Sequence, residues 1–397
     1  MLNIQTNDKD AERDKKMKVN YRNNNGSGNT VFLVVVVVLV IAITLFLLFF
    51  SGENREFSWK SNTERTENAE NLNDYEDLQY EIYYDSGEDT EFCLYRDYIV
   101  ECSRDGFYLF DKSGNEIFRK NIEFQKPVLK KQGNYLLVAD LGGRTAFVIE
   151  DKTIKWEETF TNNIINISIN RDGYIAIVLK TIGYRNTIRV LAPIGRKLFD
   201  WVVADDYVIA SEISPFSTEL MINRIKTNGI SVRSGLEFLD LKSEPFAALE
   251  SEEEKVFLNA QYIGNSNLAV VTDKEFYLYS DEREIIIQDS FEVVMSVVEF
   301  PDKKVALAAQ RDGQSLLLAY EPKKESKVLL ETELPIINMV AGDGLLLANM
   351  GNQVIVLKEN GKIVFNRSFE SEVLYGSISG KSEIMIVTKK SAEIHKL

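Results

Sequence analysis

The sequence predicts an all-β protein: a β-propeller of four-stranded blades preceded by one transmembrane α-helix. Three observations carry this. From about Leu78 onward, short runs of Val, Ile, Leu, Tyr and Phe recur every 8–12 residues between Gly, Asp and Asn turns, and no convincing amphipathic helical stretch appears. Within this region short motifs return at a period near 41 residues. Ahead of it stands an uninterrupted apolar run, Val31–Phe50.

Residues 1–30 are polar, mixed in charge, and end in NNNGSGNT. Such a tail cannot bury enough apolar surface to fold alone and is read as a disordered cytoplasmic segment. Gly26-Ser27-Gly28 follows no strand, so a phosphate-binding turn is rejected. The run 31–50 has twenty residues without charge, Gly or Pro, and 18 of them are Leu, Ile, Phe or Val. As a helix it spans about 30 Å, the depth of a bilayer's hydrocarbon core. Its transfer into lipid is favourable by at most roughly 5–10 kcal/mol. It ends in the bulky Leu47-Leu48-Phe49-Phe50, where signal-peptide cleavage needs small residues, so it reads as an uncleaved signal anchor. In the acid-free stretch that leads into it stand four basic residues (Lys15, Lys16, Lys18, Arg22), and three follow interleaved with acids (Arg55, Lys60, Arg65). That bias and the short tail put the N-terminus inside and the C-terminal domain outside the cell membrane. Residues 51–77, rich in Glu, Asn and Ser, read as an acidic flexible stalk, leaving 78–397 as the folded domain.

The repeats are specific. Gly114-Asn115-Glu116-Ile117-Phe118 has counterparts in Gly195-Arg196-Lys197-Leu198-Phe199 and Gly361-Lys362-Ile363-Val364-Phe365, successive copies standing 81 and 166 positions apart. Phe107-Tyr108-Leu109-Phe110 matches Phe276-Tyr277-Leu278-Tyr279, 169 positions on. A four-strand unit of this length is a propeller blade, because a lone sheet exposes both faces and radial stacking buries them. The Gly is expected to turn the chain into the outermost strand, and the aliphatic residue and Phe to anchor that strand on either face. Blades then run over Glu91–Gln125, Lys126–Asn162, Asn163–Val203 and Ala204 to about Phe246, and three more end near Phe291, Glu333 and Glu370. Three C-terminal strands remain, and Leu78–Tyr84 supplies the fourth, closing the ring as an eighth blade. Seven blades is the alternative if the fourth or eighth unit is misread; two stacked β-sandwiches is the rival fold.

Composition narrows function. Of 397 residues 45% are hydrophobic, enough for a sizeable core. Lys plus Arg number 46 against 61 Asp plus Glu, a net charge of −15 that argues against nucleic acid as a partner. One histidine, His395, argues against Ser-His-Asp and most metallohydrolase chemistry. Cys93 and Cys102 flank a hairpin turning near Asp97-Tyr98, where they lie opposite each other; a bridge and two buried thiols both remain open.

Other features read as structural. Arg-Asp-Gly at Arg104, Arg171 and Arg311 suggests hairpin turns rather than a polar ring on one face. Glu250-Ser251-Glu252-Glu253-Glu254 lacks the alternation of a calcium loop and reads as a solvated connector. Trp156 and Trp201 fall on outer strands, to pack between blades rather than stack on carbohydrate. Asn25, Asn166 and Asn366 fit a glycosylation pattern to which no meaning is given. No pair of carboxylates is nominated for glycoside chemistry, and no catalytic, cofactor or metal residue is assigned.

The stretches Asp172–Lys180 (DGYIAIVLK), Lys197–Val203 (KLFDWVV) and Tyr207–Pro215 (YVIASEISP) resemble a family of uncharacterised, membrane-anchored, propeller-like proteins of low-GC Gram-positive bacteria. That resemblance covers most of the chain and supplies no activity. The usual Ser-Pro-Asp-Gly turn stands here as Ser214-Pro215-Phe216-Ser217. The blades also resemble quinoprotein and tryptophan-aspartate repeats without the Trp-Asp ending, and no quinone cofactor is implied. The expectation is a non-enzymatic protein- or ligand-binding scaffold at the cell envelope. Its partners would be the lipid bilayer through Val31–Phe50 and a protein or envelope component on one propeller face. The alternative is a membrane-tethered enzyme acting on cell-wall carbohydrate or another polymer.

Overall fold

A computed structural model of the chain describes residues 59–61, 77–84, 89–181, 185–228, 231–301 and 304–397. The expected transmembrane segment Val31–Phe50, the tail before it and most of the stalk lie outside these residues. Among the described residues no helix is long and apolar enough to cross a membrane.

Eight antiparallel sheets follow one another along the chain, seven of them simple four-strand meanders. Their first strands are Glu91–Tyr95, Pro127–Gln132, Ile164–Ile169, Tyr207–Ile213, Asn259–Ile263, Val293–Phe300, Asn338–Gly342 and Val373–Ser379. First strands of neighbouring sheets touch, so they line the central axis of an eight-bladed propeller. Burial follows from this position. Second strands such as Leu345–Asn349 are buried at every residue, while the outer strand Thr153–Thr159 alternates exposed and partly buried. Each apolar cluster draws on two adjacent blades: Leu137, Ile164 and Ile177 join blades 2 and 3, and Phe276, Val305 and Tyr320 join blades 5 and 6. No blade buries its faces alone.

Closure follows the expected pattern. Leu78–Tyr83 pairs with Ser391–Lys396, beside Glu383–Thr388 and Val373–Ser379. The seam between blades 8 and 1 is stitched by polar contacts. The Phe92 amide donates to the Tyr375 hydroxyl at 2.7 Å, the Leu94 amide to Ser377 Oγ at 3.2 Å, and Lys112 meets Glu383 at 2.7 Å. The stretch expected as a plain stalk also contributes a strand, because Trp59–Ser61 pairs with Tyr80–Ile82 at the outer edge. Edge pairing of this kind needs only backbone hydrogen bonds and leaves no apolar pattern to read.

In the Gly-led turns, Gly114, Gly195 and Gly361 have φ of +84°, +78° and +86°, immediately ahead of the outer strands. The aliphatic and aromatic residues are not equivalent anchors. Ile117 is exposed, and Phe118 packs against the core of blades 1 and 2. Trp156 and Trp201 sit on outer strands and pack into the cores of blades 2–3 and 3–4.

Two expectations are corrected. The fourth blade does not end near Phe246, which lies inside its outer strand Pro245–Glu250. This blade's middle strands, Glu219–Asn228 and Ser231–Asp240, are ten residues each and push the boundary onward. Cys93 and Cys102 are free and not opposite each other, since Cys93 pairs with Val100 and Cys102 with Glu91. The turn is Arg96-Asp97, with Arg96 at φ +53°, one residue earlier than expected.

Candidate functional site

In each blade the first strand runs from one propeller face to the other, so the connectors between blades and the second turns share one face. The first and third turns share the opposite face. The Arg-Asp-Gly turns therefore divide: those at Arg104 and Arg311 are second turns, and that at Arg171 is a first turn. They form no common ring.

The connector face carries a different ring. Ile165, Tyr207, Leu258, Val293, Met295, Leu334, Ile337 and Leu374 are exposed, and all lie at the starts of first strands or just ahead of them. They cover blades 3 to 8 without a gap. Leu258 is 56% exposed and Tyr207 52%, large values for residues beside a channel mouth. The Arg185 guanidinium stacks on Tyr207, 3.9 Å from its ring centre. The connectors 122–126, 160–163, 204–206, 251–258, 291–292, 333–337 and 369–372 hold ten acidic residues against Lys126 and Lys255. The result is an apolar collar with acidic surroundings. The run Glu250–Glu254 belongs to it; Lys255 pairs with Glu252 at 2.9 Å and with Glu275 at 2.8 Å.

Beyond the collar, the first strands of blades 2 to 5, with Met221 and Asn223 of blade 4's second strand, border an open cavity of about 330 Å³. Along each strand of blades 3 to 5 the collar residue precedes the cavity residues: Ile165 before Asn166, Tyr207 before Ser211, Leu258 before Asn259. The wall is mostly amide and hydroxyl, from Asn166, Ser168, Ser211, Asn223, Asn259 and Gln261, with Lys130, Lys131 and Glu212. Four residues at its wall each keep a buried atom without a hydrogen-bond partner, turned into the clefts between blades rather than into the cavity: Ser168 Oγ, Ser211 Oγ, Asn223 Oδ1 and Gln261 Nε2. Each such atom costs about 1–3 kcal/mol. Asn223 is held in place by its other end, where Nδ2 donates to the Phe257 carbonyl at 3.0 Å. Lys131 is occupied: its ammonium donates to the carbonyls of Leu94 and Ile378, both at 3.0 Å, tying blade 2 to blades 1 and 8.

Burial pushes the Glu212 carboxyl up to about 8; the Tyr262 backbone amide and the Lys130 charge oppose this, and the Glu299 charge adds to it. Glu299 is also raised, mainly by burial, while the Gly264 amide donates to it at 2.9 Å. Near neutral pH, Glu212 therefore presents an uncharged acid to the cavity.

His395 is fully buried in the closing blade. Its Nδ1 lies 3.2 Å from the Arg367 guanidinium and its Nε2 3.1 Å from Glu393, so the ring accepts on one side and donates on the other. It packs on Phe365 and Phe369, a structural role. Among the described residues no cluster of His, Cys, Asp and Glu suits a metal ion.

Apart from Asn166, which falls in an Asn-x-Ser pattern given no meaning, none of the cavity or collar residues is nominated by sequence motif. Their signal, polar or exposed apolar residues on strands that should be buried, becomes visible only once the first strand of each blade is known to face the axis.

A family profile matches residues 71–397. The chain belongs to the family of unknown function DUF5711. Among solved structures it is similar to BamB from Moraxella catarrhalis, with a TM-score of 0.54 and 10% identity over 81% of this chain and 99% of that one. It is also similar to the Dos1 propeller, with a TM-score of 0.56 and 12% identity over 80% and 93%. At such identities the likeness is one of fold. No curated protein matches.

Proposed function

We propose that this protein is a binding module of the cell envelope, tethered through Val31–Phe50, that holds a protein partner on the collar face of its extracytoplasmic propeller. The collar carries this reading. An apolar ring shared by six consecutive blades exceeds the scattered apolar exposure of an ordinary surface. The acidic connectors favour a partner segment that is apolar at its centre and basic at its flanks. The anchor is supported by the twenty-residue uncharged run in the sequence. BamB and Dos1 lend the fold and nothing further.

A photo-crosslinking residue placed at Leu258 or Leu374 in living cells tests it. A discrete protein adduct is expected from both positions and not from Ile285 on an outer strand. The adduct should be lost when Tyr207 and Ile337 are changed to Glu. No adduct, or equal adducts from all three positions, would overturn the assignment. Protease added to intact cells should digest the propeller and spare the tail; protection of the propeller would sink the extracytoplasmic placement.

One observation favours the enzymatic reading. Glu212 is an uncharged acid in a channel, as a general acid for glycoside cleavage would be. Such a pair, however, needs one protonated and one ionised carboxyl, whereas Glu212 and Glu299 are both moved upward. Release of reducing ends from purified peptidoglycan by the full chain, abolished in Glu212→Gln, would restore that alternative.

A further inference from the structure

We infer that the pocket where blades 8, 1 and 2 meet on the connector face binds a small zwitterion, a molecule of amino-acid or dipeptide size with one ammonium and one carboxylate. This goes beyond the collar reading and does not rest on it. The pocket measures about 370 Å³. It lies where the collar is interrupted, with Leu374 of blade 8 on one side and Lys126 and Pro127, at the start of blade 2's first strand, on the other. Glu91 opens the first strand of blade 1 between them. Its neighbour Phe92 turns toward blade 8 and packs on the Tyr84 ring, with 5.0 Å between ring centres. Alternation along the strand therefore turns Glu91 the other way, toward Lys126.

The charged groups of this wall divide into taken and free. Asp89 pairs with Arg104 at 3.2 Å, and Lys389 pairs with Glu372. Among the described residues the Glu91 carboxylate and the Lys126 ammonium have no hydrogen-bond or ion-pair partner. They attract each other without pairing. The charge of Glu91 also reaches the Tyr84 and Tyr375 phenols, where it adds to the burial that raises both. Its carboxylate therefore stands among the pocket's walls, with tyrosines on one side and lysine on the other. Burial raises Glu91 itself, against the pull of Lys130 and Lys126 and with the push of Asp89. Lys130 borders the neighbouring channel cavity.

Such a pair of free charges selects its ligand. A lone cation would answer Glu91 and be repelled by Lys126, and a lone anion would do the reverse. An uncharged molecule would take water from both groups and return no counter-charge. A zwitterion answers both at once. Pro127, Leu374 and the tyrosine rings supply apolar wall for a side chain. The Tyr375 hydroxyl accepts from the Phe92 amide at 2.7 Å and keeps its own proton to donate. The volume suits one or two amino-acid units rather than a longer peptide.

The test is titration calorimetry on the full chain in nonionic detergent, in phosphate buffer free of amino acids and Tris. At about pH 6.5 an amine is protonated and a terminal carboxyl ionised. The probes are leucine, phenylalanine and alanyl-leucine, each compared with its N-acetyl and its amide derivative. Saturable binding of at least one zwitterion is expected, and blocking either of its ends should weaken it about tenfold or more. Glu91→Gln should remove the zwitterion's advantage over its N-acetyl form, and Lys126→Met its advantage over its amide. An unchanged melting temperature is the check on folding. Changing Tyr207 and Ile337 to Glu, which should cost the collar its adduct, should leave this binding unaltered, so the two readings fail separately. A derivative blocked at one end that binds as tightly as its zwitterion would overturn the ligand class. No binding by any zwitterion, or binding unchanged in both pocket variants, would overturn the site itself.

Discussion

At Glu212 the first strand of blade 4 holds a carboxyl group where ionisation is opposed by burial and by Glu299. Its ordinary value of 4.5 becomes about 8 in the folded protein. Between those values the native chain keeps a proton that the unfolded chain has released. This group's contribution to stability is therefore fully present below about pH 4.5 and is lost as pH rises through 8. Glu212→Gln should be more stable than the parent at pH 9, by on the order of 2–4 kcal/mol, and the gap should close near pH 5. Urea unfolding at the two pH values measures it; equal stability at both would mean the carboxyl is solvated. The thiols make a second case. Burial raises Cys93 to about 12 and Cys102 well above its usual range. Both should resist iodoacetamide at pH 8 in the folded protein and react in urea, and rapid native labelling of either would contradict their placement. Glu212 could not be singled out in the sequence, since it is one of 61 acids and only its neighbours set it apart.

The outer strand of each blade shows what a repeat does and does not advertise. In all eight blades the pairing slips by a residue between the third and outer strands, adding twist where the sheet meets solvent. The preceding turn needs a positive φ. Blades 1, 3 and 7 supply it with Gly, but blades 2, 4, 5 and 6 use Asp151, Ser243, Arg283 and Lys323 at φ of +57° to +72°. The motif was therefore legible in three blades, and the backbone shape it marks recurs in four more. Gly195 has a further constraint, because a Cβ there would meet the Trp156 ring at 1.7 Å. Gly195→Ala should cost about 2–4 kcal/mol, against about 1 kcal/mol for Gly313→Ala, where the φ is also positive but the space is open. Denaturant midpoints compare the two; similar losses would show that the indole moves aside. The cysteine register failed for a related reason. A shift of one residue in the turn moves the pairing by two, and Arg96 at positive φ carries no signal of its own.

Over the whole molecule, stability is shared between neighbours, since each blade's faces are buried by the next. The ring is held shut where Ser391–Lys396 lies between Leu78–Tyr83 and Glu383–Thr388. Deleting residues 391–397 removes this middle strand and frees the N-terminal one. The truncated chain should melt about 10 °C lower or more, with a broadened transition and early proteolytic loss of blades 8 and 1. An unchanged calorimetric melt would show that the ring does not depend on its clasp. The collar belongs to this scale too, because no blade contributes more than two of its apolar residues, and only the ring brings them to one mouth.

By itself the sequence determined the propeller, its blade order and its closure, because strand alternation, turn residues and a repeat near 41 residues are local and cumulative properties of the chain. It also determined an apolar run long enough for a bilayer. Only the tertiary structure decided which face carries the collar, which polar residues of four blades border one cavity, and that Glu212 keeps its proton. Those properties depend on distances between blades tens of residues apart, and a linear order of residues does not encode which strand of a repeat turns toward the axis.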